Sequence, residues 1–433
     1  MKNILNIITS AFIILALPSN SLAAHGPTQT SAKASALCAD VNQLPTLDCA
    51  TAPSAIFSNA GRLWAAWSYA GHVYVNYSDD NAESFSPPVS VNLIPEKISA
   101  HGENRPKIAL NNRDDIYVSW TTPLKKRFSG HVRFSYSTNN AKSFSTPVTV
   151  NDNLEITGHR FEALSVAENG NIYLAWLDKR DRLKAKKENK KYHGAAVYYT
   201  WSDNGGKNFY KNKKLIDHSC ECCRVAMDTD SKNMPVVLWR NIYDKNTRDH
   251  TLVSFDTEDQ PAKPIRVSFD NWQVDACPHH GPDLSVSEAD AYHLVWFNNG
   301  AENNSSRNNS SGNNSSGNKG LFYSRINKDK TQTAAYHFGN NLALASHPNV
   351  IHKDKQVWIT WKEFDGKKET IWSQYSSDNG DNWQKAIWVA STLAGSDYPF
   401  LLANENSVYI QWKTNKEGFK LFPIYEYTEK IAK

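Results

Sequence analysis

Short runs of alternating apolar and polar residues recur along the chain, and seven of them end in tryptophan. These runs are Leu63 to Trp67, Ile116 to Trp120, Ile172 to Trp176, Val236 to Trp239, His293 to Trp296, Val357 to Trp361 and Val408 to Trp412. The intervals between the final tryptophans are 53, 56, 63, 57, 65 and 51 residues. A period this regular indicates a repeat architecture.

Each unit contains four short runs of strand character. In the second unit Pro106 to Leu110 precedes a polar turn and the tryptophan run, and Val132 to Tyr136 and Pro147 to Val150 follow it. Four strands in one such period predict a blade of a β-propeller. Alternation with period two excludes a helical solenoid. A pair of β-sandwiches is the alternative, but seven matched units fit it poorly.

The turn after the third run carries a resemblance to a known family. Ser376 to Trp383 matches the Asp-box pattern Ser-x-Asp-x-Gly-x-x-Trp, and Ser78 to Phe85, Ser137 to Phe144 and Ser202 to Phe209 match it in part. The chain therefore resembles the sialidase-like Asp-box (BNR-repeat) β-propeller superfamily over nearly its whole mature length. The resemblance implies an all-β propeller whose Asp-boxes are structural and lie opposite the active centre. We predict seven blades, with the six-bladed sialidase type as the alternative.

The N-terminus predicts export. Lys2 precedes a mostly apolar run from Ile4 to Leu17, and Ser21-Leu22-Ala23 fits a signal-peptidase site. The run is short and interrupted by polar residues, which disfavours a membrane anchor, and no later segment predicts a transmembrane span. We expect a bacterial periplasmic or secreted protein cleaved near Ala23. The net charge of +4 gives no reason to expect nucleic acid as a partner.

The predicted domain organisation is simple. Residues 1–23 form the signal peptide, 24–37 a flexible N-terminal segment and 38–430 a single propeller domain. An Asn/Ser-rich tract at 301–319 predicts a disordered insertion, because it cannot contribute to a packed core. The basic stretch from Arg182 to Lys191 predicts either a solvated loop or a basic rim for an anionic ligand.

Six cysteines in an exported chain are expected to pair or to bind metal. Cys38 and Cys49 lie apart from the others and close a short loop. We predict a disulfide between them, which would hold the start of the mature domain.

Polar residues concentrate in the links that precede the first strand of each unit. In a propeller these links lie on one rim of the central channel, so residues far apart in sequence should converge there. Six of the 14 histidines occupy such links. The predicted ligand-binding residues of this rim are His101, Arg105, His159, Arg160, Arg240, His347 and Asp397.

A cysteine and histidine cluster in two consecutive links predicts a metal site. Thiolate and imidazole are ligands suited to copper or zinc. Two alternatives remain, structural disulfides that join the fourth and fifth blades and a redox-active disulfide. The predicted metal ligands are His218, Cys220, Cys222, Cys223, Cys277, His279 and His280.

The sialidase resemblance also implies a test for catalysis. Sialidases clamp a carboxylate with three arginines, use a tyrosine assisted by a glutamate as nucleophile, and use an aspartate as acid/base. The candidates here are Arg105, Arg160, Arg224, Tyr398 and Asp178. The family's Arg-Ile-Pro motif appears only in scrambled form around Arg105, so we expect weak or no sialidase activity.

The sequence thus predicts an exported propeller that binds a transition metal or a ligand at a channel mouth lined by His, Cys and Arg. One alternative is an exo-sialidase-type glycoside hydrolase acting on anionic sugars. Another is a protein-interaction propeller with structural disulfides. The expected partners are accordingly a small molecule, a metal, a glycan or another protein.

Overall fold

The computed structural model describes Cys38 and residues 44–300 and 319–424, whose strands form seven antiparallel sheets. Each sheet is built from consecutive strands, which confirms the predicted seven-bladed all-β propeller and leaves no place for the six-bladed alternative. The predicted signal peptide, flexible segment and insertion lie outside the described residues, except that Lys319 already begins a strand.

The first three blades have four strands each. Their bounds are Ser54–Phe57, Leu63–Tyr69, His72–Ser78 and Val89–Ser90 (β1–β4), Lys107–Leu110, Ile116–Pro123, Gly130–Ser137 and Val148–Thr149 (β5–β8), and His159–Val166, Ile172–Asp178, Ala195–Ser202 and Lys213–Ser219 (β9–β12).

The other four blades vary in strand number. Their bounds are Ala226–Thr229, Pro235–Arg240, His250–Thr257, Gln260–Pro261 and Ile265–Arg266 (β13–β17), Asp283–Val286, Tyr292–Asn299, Lys319–Ile326 and Tyr336–Phe338 (β18–β21), Ser346–Lys353, Gln356–Phe364, Glu369–Ser376 and Ile387–Thr392 (β22–β25), and Phe400–Ala403, Val408–Thr414 and Gly418–Pro423 (β26–β28). The extra strand β17 of the fourth blade pairs with β15.

The repeated tryptophans form the core between blades. Each lies in the second strand of its blade, and none is more than 3% exposed. Trp120, for example, packs in one apolar cluster with Trp64 and Val75 of the preceding blade. Its indole nitrogen donates to a Glu96 carboxylate oxygen at 2.7 Å. Burial of aromatic surface between neighbouring blades therefore repeats around the ring.

The N-terminal stretch closes the ring. Cys38 and Cys49 form the expected disulfide. Leu47 packs in one apolar cluster with Phe419 of the last blade and with residues of the first. The backbone N–H of Phe419 donates to a carboxylate oxygen of Asp48 at 3.3 Å. These contacts join the last blade to the first.

The turns that resemble Asp-boxes share one hydrogen-bond pattern. The Ser376 hydroxyl donates to Asp378 at 2.7 Å, and the same carboxylate oxygen accepts from the backbone N–H of Asn382 at 2.8 Å. Trp383 stacks on Tyr336 with ring centroids 5.4 Å apart. These contacts order the turn and fill the space beside it. The serine-to-side-chain bond recurs at Ser78, Ser137 and Ser202.

The basic stretch predicted to be a loop is largely helical. The helix α1 spans Arg180–Lys187, and Asp178 accepts a hydrogen bond from the backbone N–H of Arg180 at its start. Lys, Arg, Leu and Ala are strong helix formers, which explains the local preference. Among the described residues, no helix is long and apolar enough to cross a membrane.

Candidate functional site at the channel mouth

The links that enter the first strands meet around one axis, as the repeat predicts. The Arg105 guanidinium donates to both carboxylate oxygens of Asp397 at 2.5 and 2.7 Å and to the Pro53 carbonyl at 3.1 Å. These contacts join the entries of the second, seventh and first blades. Arg105 and Asp397, both predicted to bind a ligand, therefore hold each other in a buried ion pair.

Glu103 is a central residue that the sequence analysis missed. Its side chain is 1% exposed and accepts from the backbone N–H groups of Arg224 and Gly281 at 2.8 and 2.9 Å. It also accepts from the Arg224 guanidinium at 3.2 Å. A Cβ at Gly281 would lie 2.7 Å from the carboxylate, so this approach requires glycine. The available signal was its position between His101 and Arg105 in the same link.

Two further rim arginines also bind protein groups. Arg224 donates to the carbonyls of Pro282 at 3.1 Å and Pro348 at 2.8 Å. Arg240 donates to the carbonyl of His280 at 3.0 Å. The planar guanidinium fork suits such multiple contacts. Arg105, Arg224 and Arg240 thus hold the links together through donors bound to protein groups, although the buried Nε of Arg240 has no partner among the described residues.

A row of packed rings lies beside these arginines. The Tyr398 ring stacks on that of His347, with centroids 3.5 Å apart. The centroid of the His280 ring lies 4.4 Å from that of His347 and 4.1 Å from that of Phe297. A Cβ at Gly102 would fall 2.0 Å from the Tyr398 ring. Burial lowers the pKa of His280 to about 3 and that of His347 well below its usual value. Both imidazoles are therefore neutral near pH 7.

Tyr398 combines a packed ring with a hydroxyl that is not hydrogen-bonded to any other described residue. Burial and the nearby Glu103 carboxylate raise the pKa of Tyr398. The hydroxyl therefore remains protonated and can donate a hydrogen bond.

Four thiols and one imidazole form two overlapping groups. Cys220, Cys222 and Cys223 make up the first, and Cys222, Cys277 and His279 the second. Within each group the ligand atoms lie within 4.8 Å of one another. The sulfur of Cys220 lies 3.1 Å from that of Cys223 and 3.8 Å from that of Cys222. The first group is buried, whereas Cys277 and His279 are exposed.

Arg160 is the cation beside the second group. Burial lowers the pKa of Arg160, and interaction with Glu162, and then with Cys222 and Cys277, opposes this shift. Its guanidinium lies over the Phe161 ring at 4.9 Å. Within the described residues it makes no hydrogen bond, and its Nε is buried. The Glu162 carboxylate and the two cysteines are therefore the groups whose negative charge this guanidinium can stabilise.

His101 adjoins the same region. Its ring packs edge-on against Phe161 with centroids 6.1 Å apart. Burial lowers the pKa of His101 to about 3, and the proximity of Arg160 and His279 adds to this shift. His101, Arg160 and His279 therefore lie together, although they enter from three different blades.

Two predicted metal ligands, His218 and His280, lie outside the two thiol groups, and the predicted residues His159 and Asp178 contact each other elsewhere. His218 lies on the fourth strand of the third blade, where its ring packs against that of Tyr192 with centroids 4.7 Å apart. His280 lies in the row of packed rings described above. His159 contacts Asp178, with Nε2 and the carboxylate oxygen 3.7 Å apart, because β9 and β10 pair at these residues. Asp178 also accepts from the Trp176 indole and supports the start of α1.

Comparisons with known proteins show the fold. No family model and no curated protein matches the sequence. Among solved structures, the polysaccharide lyase PL25 ulvan lyase, bound to -[GlcA(1-4)Rha3S]-, is 11% identical, with 86% of this chain and 92% of that chain covered and a TM-score of 0.52. The polysaccharide lyase Uly1 is 8% identical, with 86% and 89% covered and a TM-score of 0.52. The Hadza microbial sialidase Hz136 is 12% identical, with 83% and 75% covered and a TM-score of 0.48. The chain thus shares its propeller fold with the two polysaccharide lyases.

Proposed function

We propose that this protein is an exported propeller whose channel mouth binds a transition-metal ion. The observation that carries the proposal is the convergence of four thiols and His279 from two consecutive links, with Cys222 common to both groups. Thiolate and imidazole together suit copper and zinc. The propeller core positions these links, so the ligands are brought together without help from the metal.

The surroundings of the thiols support this function. Metal-bound cysteines are thiolates, and a thiolate-rich site carries net negative charge. Arg160 lies beside Cys222 and Cys277 without a hydrogen-bond partner among the described residues. A metal–thiolate group would add negative charge beside this guanidinium, which already lies near the Glu162 carboxylate.

Metal analysis of the purified, reduced protein tests the proposal. We expect copper or zinc to bind and Cys222→Ser to lose it, because Cys222 belongs to both groups. His218→Gln is the matched control, since His218 lies in a neighbouring position but in neither group. A protein with four reduced thiols that binds no metal would contradict the proposal.

Export to the periplasm or the medium is part of the same proposal. The N-terminal sequence pattern and the Cys38–Cys49 disulfide support it, since disulfides persist in oxidising compartments. Intact mass of the protein recovered from a periplasmic fraction should correspond to cleavage near Ala23. Recovery of the uncleaved chain from the cytoplasm would count against export.

A second candidate function is action on an anionic polysaccharide. It is favoured by the Tyr398 hydroxyl, which lies near Glu103 and lacks a hydrogen-bond partner among the described residues. The fold shared with two polysaccharide lyases is compatible with it. The carboxylate clamp of a sialidase is a weaker fit, because Arg105 and Arg224 already bind protein groups.

Turnover assays separate these activities. We expect little or no cleavage of a fluorogenic sialoside. A uronic-acid polysaccharide is the better substrate class to test, by ultraviolet absorbance of an unsaturated product, with Tyr398→Phe as the variant. Robust sialoside cleavage that is abolished by Tyr398→Phe and by Arg105→Ala would show that the arginines do form a clamp. If neither metal binding nor turnover is observed, the remaining hypothesis is a protein-interaction propeller with structural disulfides.

A further inference from the structure

Resting on the metal-binding function above, we propose that the thiol cluster binds two copper(I) ions that share the Cys222 thiolate. The inner ion is held by Cys220, Cys222 and Cys223. The outer ion is held by Cys222, Cys277 and His279. A thiolate sulfur has more than one lone pair and can therefore bridge two metal ions.

The number of donors in each group favours copper(I) over zinc. A structural zinc site requires four ligands arranged tetrahedrally about one point. Each group here supplies three donor atoms within 4.8 Å of one another, and no described His, Cys, Asp or Glu side chain completes either group to four. Copper(I) is a soft ion that selects thiolates and is satisfied by a low coordination number.

The two positions differ in their access to solvent. Cys220, Cys222 and Cys223 are 1%, 5% and 2% exposed. Cys277 and His279 are exposed at the surface. Copper(I) therefore enters at the outer position and reaches the inner one by ligand exchange through Cys222. Each exchange forms one copper–sulfur bond as another breaks, and no electron is transferred.

Cations surround the thiols on several sides. Arg160 interacts with Cys222 and Cys277, and Arg240 with Cys220. Cys277 also lies near Lys179 and Glu221, which form an ion pair with each other. Four thiolates and two copper(I) ions would carry two net negative charges. Flanking guanidinium and ammonium groups compensate such a charge inside a protein.

Oxidation of Cys220 and Cys223 would compete with metal binding at the inner position. The sulfurs of Cys220 and Cys223 are 3.1 Å apart, so loss of two electrons and two protons to an external oxidant would join them in a disulfide. The decisive experiment therefore starts from anaerobic protein in which four free thiols have been counted. The Cys38–Cys49 disulfide is left intact.

Titration with copper(I) against a chromogenic chelator measures the stoichiometry. We expect two copper ions per chain, and X-ray absorption dominated by sulfur with a copper–copper contribution. Cys220→Ser should retain only the outer ion, and Cys277→Ser only the inner ion. Cys222→Ser should lose both, while His218→Gln should keep both. Circular dichroism of each variant checks that the propeller remains folded.

The alternative outcomes are separable. A single ion in the wild type, lost in all three cysteine variants, would overturn the two-ion site and leave metal binding intact. Binding of one zinc ion per chain in preference to copper(I) would likewise overturn the two-ion site and leave metal binding intact. A folded protein with four free thiols that binds neither metal would overturn both this inference and the proposed function.

Discussion

Replacing Asp397 with asparagine tests whether a buried ion pair holds the ring closed at the channel mouth. Arg105 donates to both Asp397 oxygens, and the two side chains are 4% and 5% exposed. The partners are 292 residues apart and join the entries to β5 and β26. Asp397→Asn would leave the Arg105 charge buried without its counter-ion.

The expected loss of folding stability is large for one substitution. Removing one partner of a buried pair costs about 3–5 kcal/mol. Unfolding entropy is about 2 cal/mol/K per residue, or roughly 0.8 kcal/mol/K for a domain of about 390 residues. The melting temperature should therefore fall by about 4–6 °C. Differential scanning calorimetry at a fixed scan rate measures this change.

An exposed ion pair supplies the matched control. Arg62 and Asp79 form a pair whose side chains are 33% and 58% exposed. Asp79→Asn should shift the melting temperature by no more than about 1 °C, because exposed pairs contribute about 0–1 kcal/mol. The double variant Arg105→Met/Asp397→Leu should recover much of the loss, since it leaves no unpaired charge. Equal shifts for Asp397→Asn and Asp79→Asn would refute the reasoning.

Three further predictions concern other parts of the molecule. Replacing both Cys38 and Cys49 with serine removes a cross-link of sequence separation 11. The free energy of unfolding in guanidinium should therefore fall by about 3 kcal/mol. An unchanged unfolding midpoint would argue against a role of the disulfide in stability. Gly102→Ala places a Cβ 2.0 Å from the Tyr398 ring and should alter the near-ultraviolet circular dichroism, whereas an unaltered spectrum would mean that the link adjusts freely. Burial lowers the pKa of His293 to about 3, below its unfolded value, so the stability that its neutral form contributes is lost as pH falls. Relative to His293→Leu, the free energy of unfolding of the wild type should fall by about 1.4 kcal/mol per pH unit between about pH 6.5 and pH 4. Parallel profiles of unfolding free energy against pH for the two proteins would contradict this.

The blades were predictable because their determinants are local. Alternation of side chains places Trp120 and its equivalents on an inward position of the second strand, and the period shows how often that strand recurs. Cys38 and Cys49 were predictable for the same reason, as they lie close together in the chain. The helix α1 was missed because the stretch has few apolar residues to set a period, and only helix propensity indicated it.

The sequence by itself determined which links converge at the channel mouth, because equivalent positions of a repeat must lie around one axis. Only the tertiary structure decided which side chains meet there. Irregular links lack the fixed alternation of a strand, so sequence does not show that the His280 ring packs against His347 or that Cys222 belongs to both thiol groups. The pairing of Arg105 with Asp397 joins opposite ends of the chain and exists only once the ring has closed.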